Sequence, residues 1–356
     1  MSRFTTSVSV LVTISLLVLL TSLALADGGA APTHWKLTTL TGLWNGADFR
    51  DGALGAARFN MLEACLVRPG DVLVADSNNN RIRRIAAGQV TTFAGTGEAA
   101  VCSLPFGLGQ DAAGNVYISE NGGACVDVVP AAGGTPVLIA GLKASGGDVS
   151  SCRGGAARLA TPAGLAVSGK LVYLCDRGVG KVKLLTGNRA GNVANPASWY
   201  VTDVSHGAGF SAPSGVAVDG AGNVYVADAG TMKIYLLPAG GRQWTVLAGS
   251  GQDAETDGTG LGASFSRPVG IAVDPSGNLY VADYEAGLRR LIHTGGTLVD
   301  PATWAVDTLA HQGFPPVDGA NGTGKVYDLT GVACAGDGSL YVTEWNDLRR
   351  LEWLRN

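Results

Sequence analysis

The stretch FSAPSGVAVDGAGNVYVADAGTMKIYLLPAGGRQWTVLAG, residues 210–249, decides the fold. It holds short apolar runs at Gly215–Val218, Val224–Ala227, Lys233–Leu237 and Trp244–Ala248. The first two are separated by Asp219-Gly-Ala-Gly-Asn223, whose glycines permit a tight reversal. β-Branched and aromatic residues bounded by such turns read as half-buried antiparallel strands. A four-stranded unit cannot bury both of its faces alone, so it requires neighbours.

The neighbours are in the sequence. The second run of each unit ends in an acid, giving Asp76, Glu120, Asp176, Asp228, Asp283 and Glu344, at spacings of 44, 56, 52, 55 and 61 residues. First strands precede each acid, at Ala64–Val67, Gly107–Gln110, Gly164–Val167, Gly215–Val218, Gly270–Val273 and Gly331–Cys334. The chain stops after the third strand of the sixth unit. Near the other end, Trp35-Lys-Leu-Thr-Thr-Leu-Thr41 aligns with the fourth strand Trp304-Ala-Val-Asp-Thr-Leu-Ala310. The pattern predicts an all-β, six-bladed β-propeller of four-stranded antiparallel blades, with the amino-terminal strand completing the last blade and closing the ring. Closure removes the sheet edge that an open array would expose.

Composition fits this reading. The chain of 356 residues is 46% hydrophobic and 15% charged, with 53 glycines and 14 prolines, which indicates turn-rich β structure. Net charge is −4 and no Lys/Arg cluster stands out, which argues against a nucleic-acid partner. Residues 1–26 have one early cation, Arg3, an apolar run from Val8 to Leu25, and the small-x-small ending Ala24-Leu25-Ala26. They are expected to be a signal peptide, leaving residues 27–356 as one exported propeller. The alternative is an uncleaved signal anchor, the only membrane attachment the sequence offers. In an oxidising compartment a disulfide among Cys102, Cys125 and Cys152, all assigned to loops, is expected without a defined pairing. Cys65, Cys175 and Cys334 fall in strands and read as buried hydrophobes. Asn321-Gly-Thr323 is a glycosylation sequon.

Asp76-Ser-Asn-Asn-Asn-Arg-Ile-Arg-Arg-Ile85 and Pro268-Val-Gly-Ile-Ala-Val-Asp-Pro-Ser-Gly-Asn-Leu-Tyr-Val-Ala-Asp283 resemble the NHL repeat. So do the linkers Asp51–Phe59 and Asp257–Phe265, and the resemblance covers residues 35–356. It implies the propeller fold and a binding or scaffolding role. Unit two departs from it, with Asn121-Gly-Gly-Ala-Cys125 in place of Asn-Arg-Ile, and unit three carries an insert at Gly187–Ser198.

Candidate site residues follow from the ring. At the start of the inner strands the column reads Glu63, Gly107, Gly164, Gly215, Gly270, Gly331. Glu63 is the departure, a carboxylate for a ligand, or a solvated side chain or partner of a nearby arginine. After the acids come Tyr284 and Trp345 in neighbouring blades, and the linkers carry Arg58, Arg158 and Arg267. Aromatic residues with arginine are the usual composition of a binding hot spot. The acids recur in every blade and are assigned to structure, accepting N–H groups of the turn that follows. No histidine falls in the axial columns, so no catalytic set and no metal site is assigned. The expected function is binding of a protein, peptide or glycan partner on one face, with no cofactor. The alternative is a Ca²⁺-dependent lactonase or esterase, after the gluconolactonase/senescence-marker propellers that this ring resembles in shape; Glu63 alone offers an axial ligand where calcium wants six or more oxygens.

Overall fold

A computed structural model describes residues 34–99, 101–131, 134–143, 145–187 and 193–354. The signal segment 1–26 lies outside the described residues, as does part of the insert 187–198. Six antiparallel sheets form the six blades. From axis to rim, blade 1 runs Leu62–Arg68, Asp71–Asp76, Arg81–Ala86, Gln89–Ala94. Blade 2 is Pro105–Gln110, Val116–Glu120, Cys125–Val129, Val137–Gly141, and blade 3 is Pro162–Ser168, Leu171–Asp176, Lys181–Gly187, Trp199–Asp203. Blade 4 is Pro213–Val218, Val224–Asp228, Lys233–Leu237, Thr245–Ala248, and blade 5 is Pro268–Val273, Leu279–Asp283, Gly287–His293, Trp304–Gln312.

Blade 6 has Gly331–Cys334, Leu340–Thr343 and Asp347–Trp353, and its fourth strand is Trp35–Gly42 from the amino-terminal end. The register runs antiparallel from Trp35 opposite Trp353 to Gly42 opposite Asp347. The expected closure is therefore observed. The blades hold four to six strands rather than a uniform four. Linker residues such as Gly52–Ala53, Cys152–Arg153 and Gly258–Thr259 add a short strand to the outer edge of the blade they enter. An outer edge with unpaired N–H groups gains hydrogen bonds from whatever extended chain passes it.

Local chemistry explains the hairpins. In blades 2, 4 and 5 the turn after the inner strand starts with Asp111, Asp219 or Asp274. Each aspartate accepts the backbone N–H groups two and four residues on, the side-chain amide of Asn115, Asn223 or Asn278, and the hydroxyl of Tyr117, Tyr225 or Tyr280. One carboxylate thus fixes a turn and the first aromatic residue of the next strand.

The second strands are buried on both faces rather than half-buried. Asp71–Asp76, Val116–Glu120, Val224–Asp228 and Leu279–Asp283 are buried at every position. Each lies between two neighbouring sheets, so both of its faces meet apolar side chains. Tyr225 and Ile234 of blade 4 pack with Ile271, Val281 and Trp304 of blade 5, and Tyr280 and Leu288 of blade 5 pack with Val332, Leu351 and Leu37 of blade 6. The core is a continuous belt between blades, which no single blade could form.

The six acids do not act as the sequence suggests. Asp76 accepts the N–H of Asn60, Asp176 those of Ala160 and Thr161, and Asp283 those of Ser266 and Arg267. These groups lie in the turn before the inner strand, sixteen or so residues earlier. In the turn that follows, Asp228 accepts the N–H groups of Gly230 and Thr231, and Asp76 accepts the side-chain amide of Asn79. The acids also form buried ion pairs with the third strand, namely Asp76–Arg83 at 2.6 Å, Asp176–Lys183 at 3.0 Å and Glu344–Arg349 at 3.0 Å. The reason is position: at the end of a fully buried strand, a carboxylate must be neutralised as well as hydrogen-bonded.

All six cysteines are free thiols. Cys125 begins the third strand of blade 2 and Cys152 lies in a short linker strand, so only Cys102 is in a loop as expected. No helix among the described residues is long and apolar enough to cross a membrane.

Candidate functional site at the channel mouth

The inner strands of all six blades line an axial cavity that includes Glu63, Gly107, Gly164, Gly215, Gly270 and Gly331. A side chain at the glycines would collide with the next blade: a Cβ at Gly107 would lie 2.7 Å from the Ala163 carbonyl oxygen, and one at Gly331 would lie 2.7 Å from that of Glu63. The ring is closed by backbone packed on backbone. In blades 1 to 5 a β-bulge interrupts the start of the inner strand, and such an extra residue re-aims the side chains beside it.

The sequence column sets Glu63 level with the glycines, but the strand register puts Ala64 there, because a bulge shifts the start of the inner strand. Glu63 stands one place earlier, level with Phe106, Ala163, Ser214, Val269 and Thr330. It is the one acid at that level and is buried, 8% exposed. Desolvation pushes its carboxyl up to about 7, against the opposing pull of the Arg177 and Arg267 guanidinium groups. Burial lowers the pKa of Arg177, and Arg267 lowers it further by repulsion. At the mouth two guanidinium groups thus act on one buried acid. Arg177 follows Asp176 in the sequence, and its neighbourhood with Glu63 is visible only once the ring is closed.

Arg267 stacks over the Tyr284 ring, 4.9 Å from its centroid. The Tyr284 hydroxyl receives the indole N–H of Trp345 at 3.0 Å and donates to Asp328 at 3.3 Å. Asp328 is in turn held by the Gln312 amide at 2.9 Å. Trp345 is 44% exposed, so its ring faces solvent while its polar edge is fixed. Beside it the Asn346 amide bonds the Trp44 carbonyl, and Trp44 packs edge-on against Phe314, which is exposed and also meets Tyr327. Leu43 is exposed next to Trp44. An apolar surface of aromatic rings thus runs on from Trp345.

The three linker arginines do not occupy equivalent places. In blades 1 to 5 the residue after the acid donates its N–H to the residue ahead of the inner strand, as Arg177 does to Thr161 and Tyr284 to Arg267. Arg267 therefore matches Thr161 and stands at the mouth. Arg58 and Arg158 stand three residues further back, where each donates to carbonyls of its own linker, Arg58 to Ala57 at 2.7 Å and Arg158 to Ala157 at 2.8 Å. The structure brings together Glu63, Arg267, Tyr284 and Trp345, with Arg177 added, and leaves Arg58 and Arg158 as braces of the linkers.

Asn321 is exposed at the rim, and its Oδ1 receives the backbone N–H of Trp35 at 2.9 Å. His311 pairs with Glu255 at 2.6 Å, and no histidine among the described residues lines the axial cavity.

Comparison with known proteins agrees with this geometry. The NHL repeat family matches residues 265–287, the linker end and the first two strands of blade 5. NHL repeat-containing protein 2 of Bos taurus is 27% identical over 84% of this chain, which spans 39% of that protein. The chain is thus well under two thirds the length of the curated relatives it matches. A Bacteroides thetaiotaomicron protein of unknown function superposes with a TM-score of 0.69 at 20% identity, over 89% of this chain and 76% of its own. A gluconolactonase from Xanthomonas campestris does so with a TM-score of 0.56 at 12% identity, over 89% of this chain and 99% of its own. Identities this low speak for shared architecture alone. Repeat signature, relatives and ring together make this chain a six-bladed β-propeller that carries an NHL repeat at residues 265–287 and is similar to NHL repeat-containing proteins.

Proposed function

We propose that this propeller is an exported binding or scaffold module whose channel-mouth face takes a protein, peptide or glycan partner. The observation that carries this reading is the chain Arg267–Tyr284–Trp345, ordered by stacking and hydrogen bonds beside the buried Glu63. Pre-ordered aromatic and arginine side chains lose little entropy on binding, which is why such groups dominate interface energetics. The exposed rings next to Trp345 extend the face in the way interaction surfaces do. Export rests on the sequence of residues 1–26, and modification of Asn321 would follow from export.

The calcium-dependent hydrolase is the weaker reading. Glu63 is the one carboxylate among the described residues of the axial lining, and Arg177 and Arg267 oppose a cation there. A hard cation is held by six to eight oxygens.

The test is a peptide-array and glycan-array screen of the purified protein. Binding that is saturable, lost in Trp345→Ala and Arg267→Ala, and kept in Arg84→Ala supports the reading. A ligand indifferent to both mouth substitutions overturns it, as does calcium-dependent lactone hydrolysis abolished by Glu63→Gln.

A further inference from the structure

Blade 2 breaks the charge rule of its neighbours. In the other blades the residue two places beyond the acid's strand partner faces the acid, and it is Arg83, Lys183, Arg289 or Arg349 in blades 1, 3, 5 and 6. In blade 4 it is the neutral Tyr235. In blade 2 the register pairs Glu120 with Cys125, so this place falls to Asp127. Two carboxylates, both wholly buried, face one another where a base is expected.

The surroundings supply two thiols. Cys125 Sγ lies 3.6 Å from Glu120 Oε2 and 3.7 Å from Asp127 Oδ1. One ligand atom from each of Glu120, Cys125 and Asp127 lies within 4.8 Å of the other two. The thiol of Cys102 in the adjoining loop, also wholly buried, lies near Glu120 and Asp127, and burial together with their negative charges raises its pKa. Gly123 leaves the space open: a Cβ there would stand 2.5 Å from Glu120 Oε2 and 3.0 Å from Cys125 Sγ.

Positive charge is short. Lys143 Nζ approaches Asp127 Oδ2 at 3.0 Å and Glu120 Oε2 at 3.5 Å, while donating to the Val101 carbonyl at 2.9 Å. Yet Glu120 Oε1 is buried without a hydrogen-bond partner, and Asp127 Oδ2 has only the Lys143 ammonium, out of line for a hydrogen bond. One ammonium, its side chain 31% exposed, serves two buried carboxylates. A buried carboxylate atom without a partner is costly enough to call for an explanation.

We propose that Cys102, Glu120, Cys125 and Asp127 form a site for a zinc-class divalent cation, which takes the place of the Lys143 ammonium. Thiolate and carboxylate donors at about 2.3 and 2.0–2.2 Å are the ordinary ligands of tetrahedral zinc. Two sulfur donors select against calcium and magnesium. Glu120, Cys125 and Asp127 need only a modest contraction, since donors around such an ion stand about 3.5 Å apart. On binding, the two thiols release their protons to solvent and Lys143, already at the surface, swings outward with its charge. The site lies between strands and loop of blade 2, apart from the channel mouth, and is structural in kind.

The experiment is titration of the reduced, chelator-treated full chain with zinc alone, and with cobalt as a spectroscopic probe. The expected result is one ion per chain, protection of two thiols from alkylation, and a thiolate-to-cobalt charge-transfer band. Lys143→Met is expected to tighten binding at least tenfold. Cys125→Ser, and separately Asp127→Lys, which recreates the Asp176–Lys183 arrangement of blade 3, are expected to abolish it. The proposal is overturned if the reduced protein takes up no stoichiometric zinc, or if uptake is unchanged in both Cys125→Ser and Asp127→Lys. Mapping of a Cys102–Cys125 disulfide in the unreduced protein also overturns it.

Discussion

Trp345 of blade 6 donates its indole N–H to the hydroxyl of Tyr284 in blade 5, 3.0 Å away, across the boundary between the blades. The bond holds an exposed ring in one orientation on the mouth face. Tyr284→Phe removes the acceptor and keeps the stacking surface for Arg267. The expected outcome is a free-moving Trp345, read as increased acrylamide quenching of tryptophan emission. A partly exposed hydrogen bond of this kind is worth about 0.5–1.5 kcal/mol, so the melting temperature should move little. Partner affinity should fall with the lost order; unchanged affinity would mean that this bond does not shape the binding face.

Glu63 makes stability depend on pH with a defined sign. Its folded-state carboxyl titrates near 7, above its ordinary value of 4.5, because burial disfavours the charge. Between those values the folded chain holds the proton more tightly than the unfolded chain does. Stability therefore declines as pH rises from 4.5 to 7, and the loss is complete above 7. A shift of this size corresponds to roughly 3–4 kcal/mol. Glu63→Gln removes the titration, so the variant should gain on the wild type at pH 8 and show no such gain at pH 4. Paired urea melts at the two pH values measure the difference, in which Glu120 and Glu344, also raised, cancel. A variant with the same slope as the wild type would contradict the burial argument.

The Asp76–Arg83 pair supplies a third test. Both side chains are wholly buried and 2.6 Å apart, and Arg83 also bonds Asp51 and the Arg50 and Arg58 carbonyls. Arg83→Met leaves Asp76 buried without its countercharge and frees the linker from blade 1. Removing one partner of such a pair costs about 3–5 kcal/mol. The double variant Asp76→Asn/Arg83→Met should recover part of that loss, because the stranded charge is gone. Denaturant midpoints for the wild type, Arg83→Met, Asp76→Asn and the double variant give the answer, and additivity of the two single changes would rule out the coupling.

The ring was legible because each blade repeats a turn-bounded apolar unit and ends its second strand in an acid. The matching Trp35 and Trp304 patterns then gave the closure. The roles of those acids were not legible, since Arg83 and Asn60 meet Asp76 through register and not through sequence neighbourhood. Glu63 stood out as a break in a glycine column, but the register gives that place to Ala64 and sets Glu63 level with Phe106 and Thr330. Its burial and its arginine neighbours depend on how the bulges aim side chains inward. Arg58, Arg158 and Arg267 look alike in sequence, and only the hydrogen-bond register separates the mouth residue from the braces. Asp127 was hidden for the same reason: a strand aspartate is unremarkable until the register sets it opposite Glu120.

Closure of the ring by residues far apart in sequence sets the last test. Leu37, wholly buried, lies opposite Leu351 and packs among Val326, Leu340 and Val342. Leu37→Ala should cost about 2–5 kcal/mol, the usual range for emptying such a site. Deleting the strand Trp35–Gly42 goes further, because it bares the N–H and C=O groups of Asp347–Trp353. An uncovered edge strand recruits other chains. The truncated protein should therefore elute as oligomers or precipitate, and a synthetic peptide of residues 34–43 added during refolding should restore the monomer. If the truncated chain stayed monomeric with an unchanged melting temperature, the amino-terminal strand would be an accessory to a ring already closed without it.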